Sequence, residues 1–160
     1  MLKTITIASI KFIYLERNKI IMKNYIHKVQ YYETDRMGLT HHSNYIRWME
    51  EARVYWLDNI GFGFDKLEEM EITSPILSVN CKYKNGSTFG DSVEIETKVL
   101  KYNSVKITIG YVMKKVGSGE LVATGDTELC FINLKTRKPV ILKKELPEFD
   151  KIMRDSLEEI

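Results

Sequence analysis

The stretch from Gln30 to Ile60 contains the residue types best suited to chemistry on a carbonyl group. Asp35 lies in a polar turn, and Gly38 follows it three residues later. His41 and His42 then lead into a long amphipathic segment, so a carboxylate is expected near the free N–H groups of a helix N-terminus. A carboxylate can attack a carbonyl or activate water, and such N–H groups stabilise the negative charge that develops on oxygen.

The turn is expected to connect a strand to a long helix. Aromatic and β-branched residues predict a strand over Tyr25–Tyr32. The helix should begin between His42 and Tyr45, with Ser43 as its N-cap, and should end at Gly61. Its apolar residues recur at i, i+3, i+4 and i+7, which is typical of a face packed on a core. They are Tyr45, Trp48, Met49, Ala52, Tyr55, Trp56 and Ile60. His27 is expected at the surface or in a cross-strand pair, with no functional role.

Four later segments alternate apolar and polar residues with a period of two, which predicts strands with one wet face and one face packed on the helix. They cover residues 77–84, 93–99, 105–114 and 121–134. The segment LPEFDKIMRDSLEEI predicts a C-terminal helix with Pro147 near its start. One long helix with an antiparallel sheet is an α+β architecture.

Asp35, Gly38 and Tyr45, followed by RWMEEAR, resemble the motif of the hotdog-fold acyl-CoA thioesterases of the 4-hydroxybenzoyl-CoA thioesterase family. The resemblance continues through KYKNGSTFGDSVEIET and ELCFINLKTRKPV, and it covers most of the chain. It implies a hotdog fold, in which a curved antiparallel sheet of about five strands wraps a long central helix. It also implies an acyl-CoA substrate, no cofactor, and sites that lie between the subunits of a homodimer or homotetramer.

The resemblance implies catalytic roles for Asp35 and His42. Asp35 would act either as a nucleophile or as a general base, and the sequence does not choose between them. His42 lies seven residues after Asp35, and its backbone N–H would bind the oxyanion. A purely structural reading stays open, because aspartate is common at turn starts and glycine supplies a positive φ. Substrate contacts are expected at Tyr31, Gly38, Ser43 and Tyr45, with Lys82 and Lys84 near the CoA phosphates.

Two alternatives share the same fold. An acyl-carrier-protein thioesterase would differ only in the surface around the tunnel, and a non-catalytic protein could bind acyl-CoA without cleaving it. Asp35 argues against the second, because a binding module needs no carboxylate beside a thioester. Hotdog hydratases and dehydratases use an Asp-Asn-Pro and His motif or a His-Phe-Pro motif, whereas RMGLTHH follows Asp35 here.

The length and the charge distribution limit the other classes. A chain of 160 residues predicts one domain, which we place at residues 22–160. Residues 1–21 form an N-terminal extension of uncertain status. The net charge of +2 conceals an excess of +4 over residues 1–23, which leaves the remainder slightly acidic and argues against nucleic-acid binding.

The composition also predicts the cellular setting. No apolar run approaches the ~20 residues that span a bilayer, so no integral membrane association is expected. Cys81 and Cys130 lie far apart, which predicts buried free thiols and a cytoplasmic location. Three histidines without ligand spacing predict no metal site.

Overall fold

The computed structural model of this protein describes residues 14–16, 19–21 and 23–157. The short strands are β1 (Tyr14–Glu16), β2 (Lys19–Ile21), β3 (Tyr25–Lys28), β4 (Ile72–Thr73) and β9 (Ile132–Asn133). The long strands are β5 (Ile76–Tyr83), β6 (Ser92–Tyr102), β7 (Lys106–Lys115) and β8 (Leu121–Cys130). The helices are α1 (His42–Asn59), α2 (Phe64–Glu69), α3 (Leu142–Glu145) and α4 (Pro147–Asp155), with a 3₁₀ turn at Tyr31–Glu33.

Five antiparallel strands form the main sheet in the order β3-β6-β7-β8-β5. Helix α1 packs on this sheet, which confirms the predicted α+β fold with one long helix on five antiparallel strands. The predicted apolar stripe forms much of the contact, since Trp48, Met49 and Ala52 are almost fully buried. Gly125 on β8 allows this approach, because a Cβ there would lie 2.1 Å from the Met49 terminal methyl.

Two predicted strands differ in the structure, and one short helix was not predicted. Strand β3 ends at Lys28, and Tyr31 belongs to the 3₁₀ turn, which makes the prediction of a strand to Tyr32 wrong. The predicted strand over residues 121–134 is interrupted at Phe131 and continues as β9. The C-terminal helix begins at Pro147 as predicted, but α3 precedes it.

Strand β5 lies at one edge of the main sheet, and most of its residues are exposed on both faces. Leu77, Val79 and Tyr83 each keep 40–49% of their surface exposed. The expectation that one face of this strand packs fully on the helix is therefore wrong for the single chain. An apolar edge strand with free backbone groups is a typical place for association with another strand.

The N-terminal extension is described only in part. Strands β1 and β2 pair with each other in a two-stranded sheet separate from the main one. The remaining residues of the predicted extension at 1–21 lie outside the described residues, so the domain boundary stays a prediction. Within the described ranges, no helix combines the length and apolar character needed to cross a bilayer. Cys81 and Cys130 are free thiols on β5 and β8, half-buried rather than fully buried.

Candidate active site

The turn that carries Asp35 is a small hairpin closed by backbone hydrogen bonds. Thr34 and Thr40 form an isolated bridge at its base. The N–H of Asp35 donates to the carbonyl of Leu39 over 2.8 Å, and the N–H of Gly38 donates to the carbonyl of Asp35 over 3.0 Å. The hairpin therefore holds Asp35 in a fixed backbone position directly before α1.

The Asp35 side chain is half-buried and partly committed to the turn. Its Oδ1 accepts a 2.8 Å hydrogen bond from the N–H of Met37. This bond is the local turn contact that the sequence permitted, so Asp35 does have the structural role. Its Oδ2 accepts no hydrogen bond from the described residues, which leaves one carboxylate oxygen free for chemistry.

Gly38 takes the conformation that its type predicted, with φ of 75°. A Cβ at this position would meet no atom within 4 Å, so the backbone angle rather than crowding calls for glycine. The Gly38 carbonyl accepts a 2.8 Å hydrogen bond from Thr88 Oγ1. Leu39, the next residue, packs closely on Gly86, because a Cβ on Gly86 would lie 2.9 Å from the Leu39 side chain. The hairpin is thus fixed against the segment after β5.

Helix α1 begins at His42, and its N-cap is His41 rather than Ser43. The prediction of Ser43 as N-cap is wrong because the His41 ring takes this role: its Nδ1 lies 2.9 Å from Ser43 Oγ and accepts the Ser43 N–H. The N–H of His41 donates to the Glu33 carbonyl, and the N–H of Asn44 donates to the His41 carbonyl. Within the described residues, the N–H of His42 is then the first-turn donor with no acceptor, as an oxyanion site requires.

A cluster of aromatic and hydroxyl side chains borders this helix N-terminus. Tyr45 is 4% exposed and its hydroxyl lies 3.2 Å from Ser87 Oγ. Tyr83 donates its hydroxyl to the His42 carbonyl over 3.1 Å, and its ring lies 5.3 Å from that of Tyr45. Burial raises the pKa of Tyr83, with Cys81 adding to the effect, so its hydroxyl stays a neutral donor. Sequence reasoning gave Tyr83 no role at the site, although its place in the apolar alternation of β5 was visible.

A buried polar network lies directly behind the hairpin. Glu33 Oε2 accepts hydrogen bonds from the N–H of Gln30 at 2.7 Å and from His27 Nε2 at 2.9 Å, while Oε1 accepts the indole N–H of Trp48 at 2.8 Å. Burial raises the pKa of the Glu33 carboxyl, but these three donors outweigh it and lower the pKa below its usual range. Of the two positions expected for His27, the structure shows the cross-strand one: His27 is buried, pairs with Val93 of β6, and its Nδ1 contacts Glu51.

The remaining predicted contacts are less closely gathered. Tyr31 is 77% exposed and its ring meets Phe89 edge to face at 5.8 Å, so most of its surface is open to solvent. Lys82 and Lys84 are exposed near the end of β5. Since side chains alternate along a strand, Lys82 points to the face opposite Tyr83. Among the described residues, neither lysine forms an ion pair with Asp35, and their substrate contacts stay predictions.

An open groove of about 460 Å³ lies elsewhere, along α1 and beside Tyr25 of the edge strand β3. It is lined by Tyr25, Arg47, Glu50, Glu51, Val54, Tyr55 and Asp58. This lining contains none of the predicted site residues. Over the described ranges, no group of three or more His, Cys, Asp or Glu side chains is arranged to hold a metal ion.

Residues 29–152 match the model of the thioesterase-like superfamily. Over 123 residues the chain is 30% identical to YneP of Bacillus subtilis (strain 168), whose assignment as an acyl-CoA thioesterase is itself a prediction. The match covers 76% of this chain and 88% of YneP. The long-chain acyl-CoA thioesterase FadM of Escherichia coli (strain K12) is 26% identical over 121 residues, which cover 76% of this chain and 91% of FadM.

The fold comparison agrees with these matches. The crystal structure of a DHNA-CoA thioesterase from Staphylococcus aureus superposes with a TM-score of 0.78 and 32% identity. The superposition covers 82% of this chain and 88% of that protein. The main sheet and α1 described above therefore form a hotdog fold, as the sequence predicted.

Proposed function

This chain belongs to the thioesterase-like superfamily, and we propose that it acts as an acyl-CoA thioesterase in which Asp35 and the N–H of His42 carry out the hydrolysis. One observation carries the assignment of roles. Among the described residues, a carboxylate oxygen without a donor and a helix N-terminal N–H without an acceptor lie at the two ends of one hydrogen-bonded hairpin. Thioester hydrolysis needs both groups, since one activates the nucleophile and the other stabilises the oxyanion.

In the general-base route, Asp35 takes a proton from water while the water oxygen bonds to the thioester carbonyl carbon. The carbonyl oxygen becomes an oxyanion that accepts the N–H of His42. Collapse then breaks the C–S bond, and the CoA thiolate leaves and takes up a proton. A free thiol has a pKa of about 8.5, so its departure needs no dedicated general acid.

In the nucleophilic route, an Asp35 oxygen bonds to the carbonyl carbon and the C–S bond breaks, which gives a mixed anhydride on the enzyme. Water then cleaves the anhydride and releases the acid. Single turnover in ¹⁸O-labelled water distinguishes the routes. Only the anhydride route can place the label in Asp35 when water attacks the aspartyl carbonyl, and mass spectrometry of the digested protein would detect it.

The same site suggests how the acyl-CoA is held. Gly38 keeps the hairpin in its turn, and Tyr45 forms one wall beside the first turn of α1. Ser43 lies in that turn, with its hydroxyl engaged by the His41 ring. Tyr31 and the exposed lysines, Lys82 and Lys84, are proposed as contacts of the CoA moiety outside the reacting centre. An acyl-carrier-protein substrate is the alternative, because the groups around the thioester would be the same.

We place the active protein in the cytoplasm as a homodimer, or as a tetramer of paired dimers. The exposed edge of β5 supports association, since its apolar residues and free backbone groups suit pairing with the same strand of a second copy. The two free cysteines support a reducing compartment.

A panel of acyl-CoAs, assayed by thiol release, tests the proposed function. The panel should include aliphatic chains of several lengths and aromatic acyl groups, together with an acyl-carrier-protein thioester. Asp35→Asn should remove the activity. Asp126→Asn should not, because Asp126 is a half-buried aspartate on β8 that accepts a hydrogen bond from Asn80 of β5. Binding of acyl-CoA without release of thiol by the wild type would favour a non-catalytic protein.

A further inference from the structure

Glu33 lies two residues before Asp35, and it connects three elements around the hairpin. Glu33 is only 4% exposed, and its side chain contacts His27 of β3 and Trp48 of α1. Its backbone carbonyl accepts the N–H of His41 at 2.8 Å and the side-chain amide of Asn44 at 2.8 Å. One residue therefore touches the strand before the hairpin, the N-cap after it and the body of the helix.

These contacts fix where the helix begins relative to Asp35. The hairpin over residues 34–40 starts directly after Glu33 and ends directly before His41, and the Glu33 carbonyl joins its two ends. If the Glu33 side chain shifted, its carbonyl would shift with it, and so would the first turn of α1. The N–H of His42 and the carboxylate of Asp35 would then lose their mutual position.

The contacts of His27 make this arrangement specific. Both ring nitrogens lie 2.9 Å from carboxylate oxygens, Nε2 from Glu33 and Nδ1 from Glu51. The imidazole therefore bridges two carboxylates, one of them buried and the other half-buried. The Tyr25 hydroxyl also donates to Glu51, and the Trp48 ring packs 4.5 Å from the imidazole. A well-packed apolar group could fill this space, but it could not direct the Glu33 carboxylate.

Resting on the thioesterase function above, we propose that Glu33, held by His27, is a positioning residue for the hydrolysis. It touches neither substrate nor the reacting atoms. It acts through its backbone carbonyl, which keeps the oxyanion donor of α1 in register with the Asp35 carboxylate.

The test compares Glu33→Gln with Asp150→Asn in the full chain. Asp150 is the matched control, because it is also a buried carboxylate with three hydrogen-bonding partners, Tyr102, Ser104 and Arg154, and these lie outside the hairpin and the first turn of α1. Glu33→Gln should lower kcat by about ten-fold or more, with KM for acyl-CoA within about two-fold, because small misplacements of reacting groups are costly. Asp150→Asn should leave both values within about two-fold at a temperature below its melting transition.

A second pair keeps the inference testable if Glu33→Gln fails to fold. His27→Gln retains an amide donor for Glu33 and should keep most of kcat, whereas His27→Leu removes the donor and should lower kcat as Glu33→Gln does. A purely structural role would lower the melting temperature in both variants and leave kcat unchanged in each. Equal kcat in the two His27 variants, or normal kcat in folded Glu33→Gln, would overturn the inference.

Asp35→Asn in the same assay separates this inference from the proposed function. If wild type is active, Asp35→Asn is inactive and Glu33→Gln is normal, the positioning role alone is refuted. If wild type cleaves no thioester, or if Asp35→Asn remains active, the site assignment itself fails and the positioning role fails with it.

Discussion

Replacing Gly38 by alanine should show whether the shape of the hairpin matters for catalysis as well as for stability. Gly38 has a φ of 75°, and its N–H and carbonyl bond to Asp35 and Thr88. No atom lies within 4 Å of an added Cβ, so the cost of alanine is conformational alone. Left-handed backbone costs an L-residue roughly 1–2 kcal/mol. For a chain of this size the melting temperature should fall by roughly 2–8 °C.

The activity should fall further than this stability loss explains. Relief of the strain would move the Gly38 N–H away from the Asp35 carbonyl and shift the carboxylate, which we expect to lower kcat by about ten-fold. Gly117→Ala is the matched control. Gly117 has a φ of 91° and equally open surroundings, but it lies in the turn between β7 and β8.

Thermal melts and thiol-release kinetics on both variants provide the comparison. Both should lose similar stability, and only Gly38→Ala should lose kcat. Gly38→Asn should recover part of the loss, because asparagine tolerates the left-handed region better than alanine. Equal and normal kcat in Gly38→Ala and Gly117→Ala would refute the claim that the hairpin geometry positions Asp35.

Three further predictions concern stability, assembly and the N-terminus. Burial raises the pKa of Asp150, but the donors bonded to this carboxylate outweigh burial and lower the pKa to about 2. The carboxylate therefore contributes stability above pH ~4, and this contribution disappears as the pH falls towards 2. Denaturant unfolding should show Asp150→Asn roughly 2 kcal/mol less stable than wild type at pH 7, with a smaller gap near pH 2, and a constant gap would contradict this. Val79→Lys on β5 should give monomers in sedimentation while Ile26→Lys on the opposite edge strand should not, and unchanged dimers in both would rule out the β5 interface. A chain that begins at Met22 should be folded and active, and its failure to fold would show that residues 1–21 are structural.

The long elements could be predicted because their signals are local. The apolar spacing of α1 and the alternation in β6 and β7 each follow from burying one face of the element. This pattern is the same whichever neighbouring layer covers that face. The end of β3 could not be located this way. Tyr31 and Tyr32 have strand-forming side chains, yet the Glu33 carboxylate accepts the Gln30 N–H and turns the chain into a 3₁₀ turn. The same carboxylate bonds to His27 and Trp48, and these more distant contacts, which the sequence pattern does not show, hold the turn in place.

The sequence allowed the centre of the candidate site to be proposed, but not the residues that support it. Asp35, Gly38 and His42 were proposed because they form a compact motif in the sequence, and their roles stay predictions. Ser43 is a standard N-cap residue, but the His41 ring occupied that role first. Glu33 and His27 gave no local signal. Glu33 bonds to Trp48, 15 residues later in the sequence, and His27 contacts Glu51, 24 residues later. The exposure of β5 could not be predicted either, because the alternation of apolar and polar residues does not say which neighbouring element covers an apolar face.

The relative kcat of Asp35→Asn and His42→Ala tests the central claim most directly. Asparagine keeps the turn-forming size but lacks the nucleophile or base, so kcat should fall on the order of a thousand-fold with little change in substrate binding. His42→Ala keeps the backbone N–H and should cost only about ten-fold, or about 1.4 kcal/mol in the barrier. Near-normal hydrolysis by Asp35→Asn together with complete loss in His42→Ala would show that the carboxylate only forms the turn and that the imidazole is the catalyst.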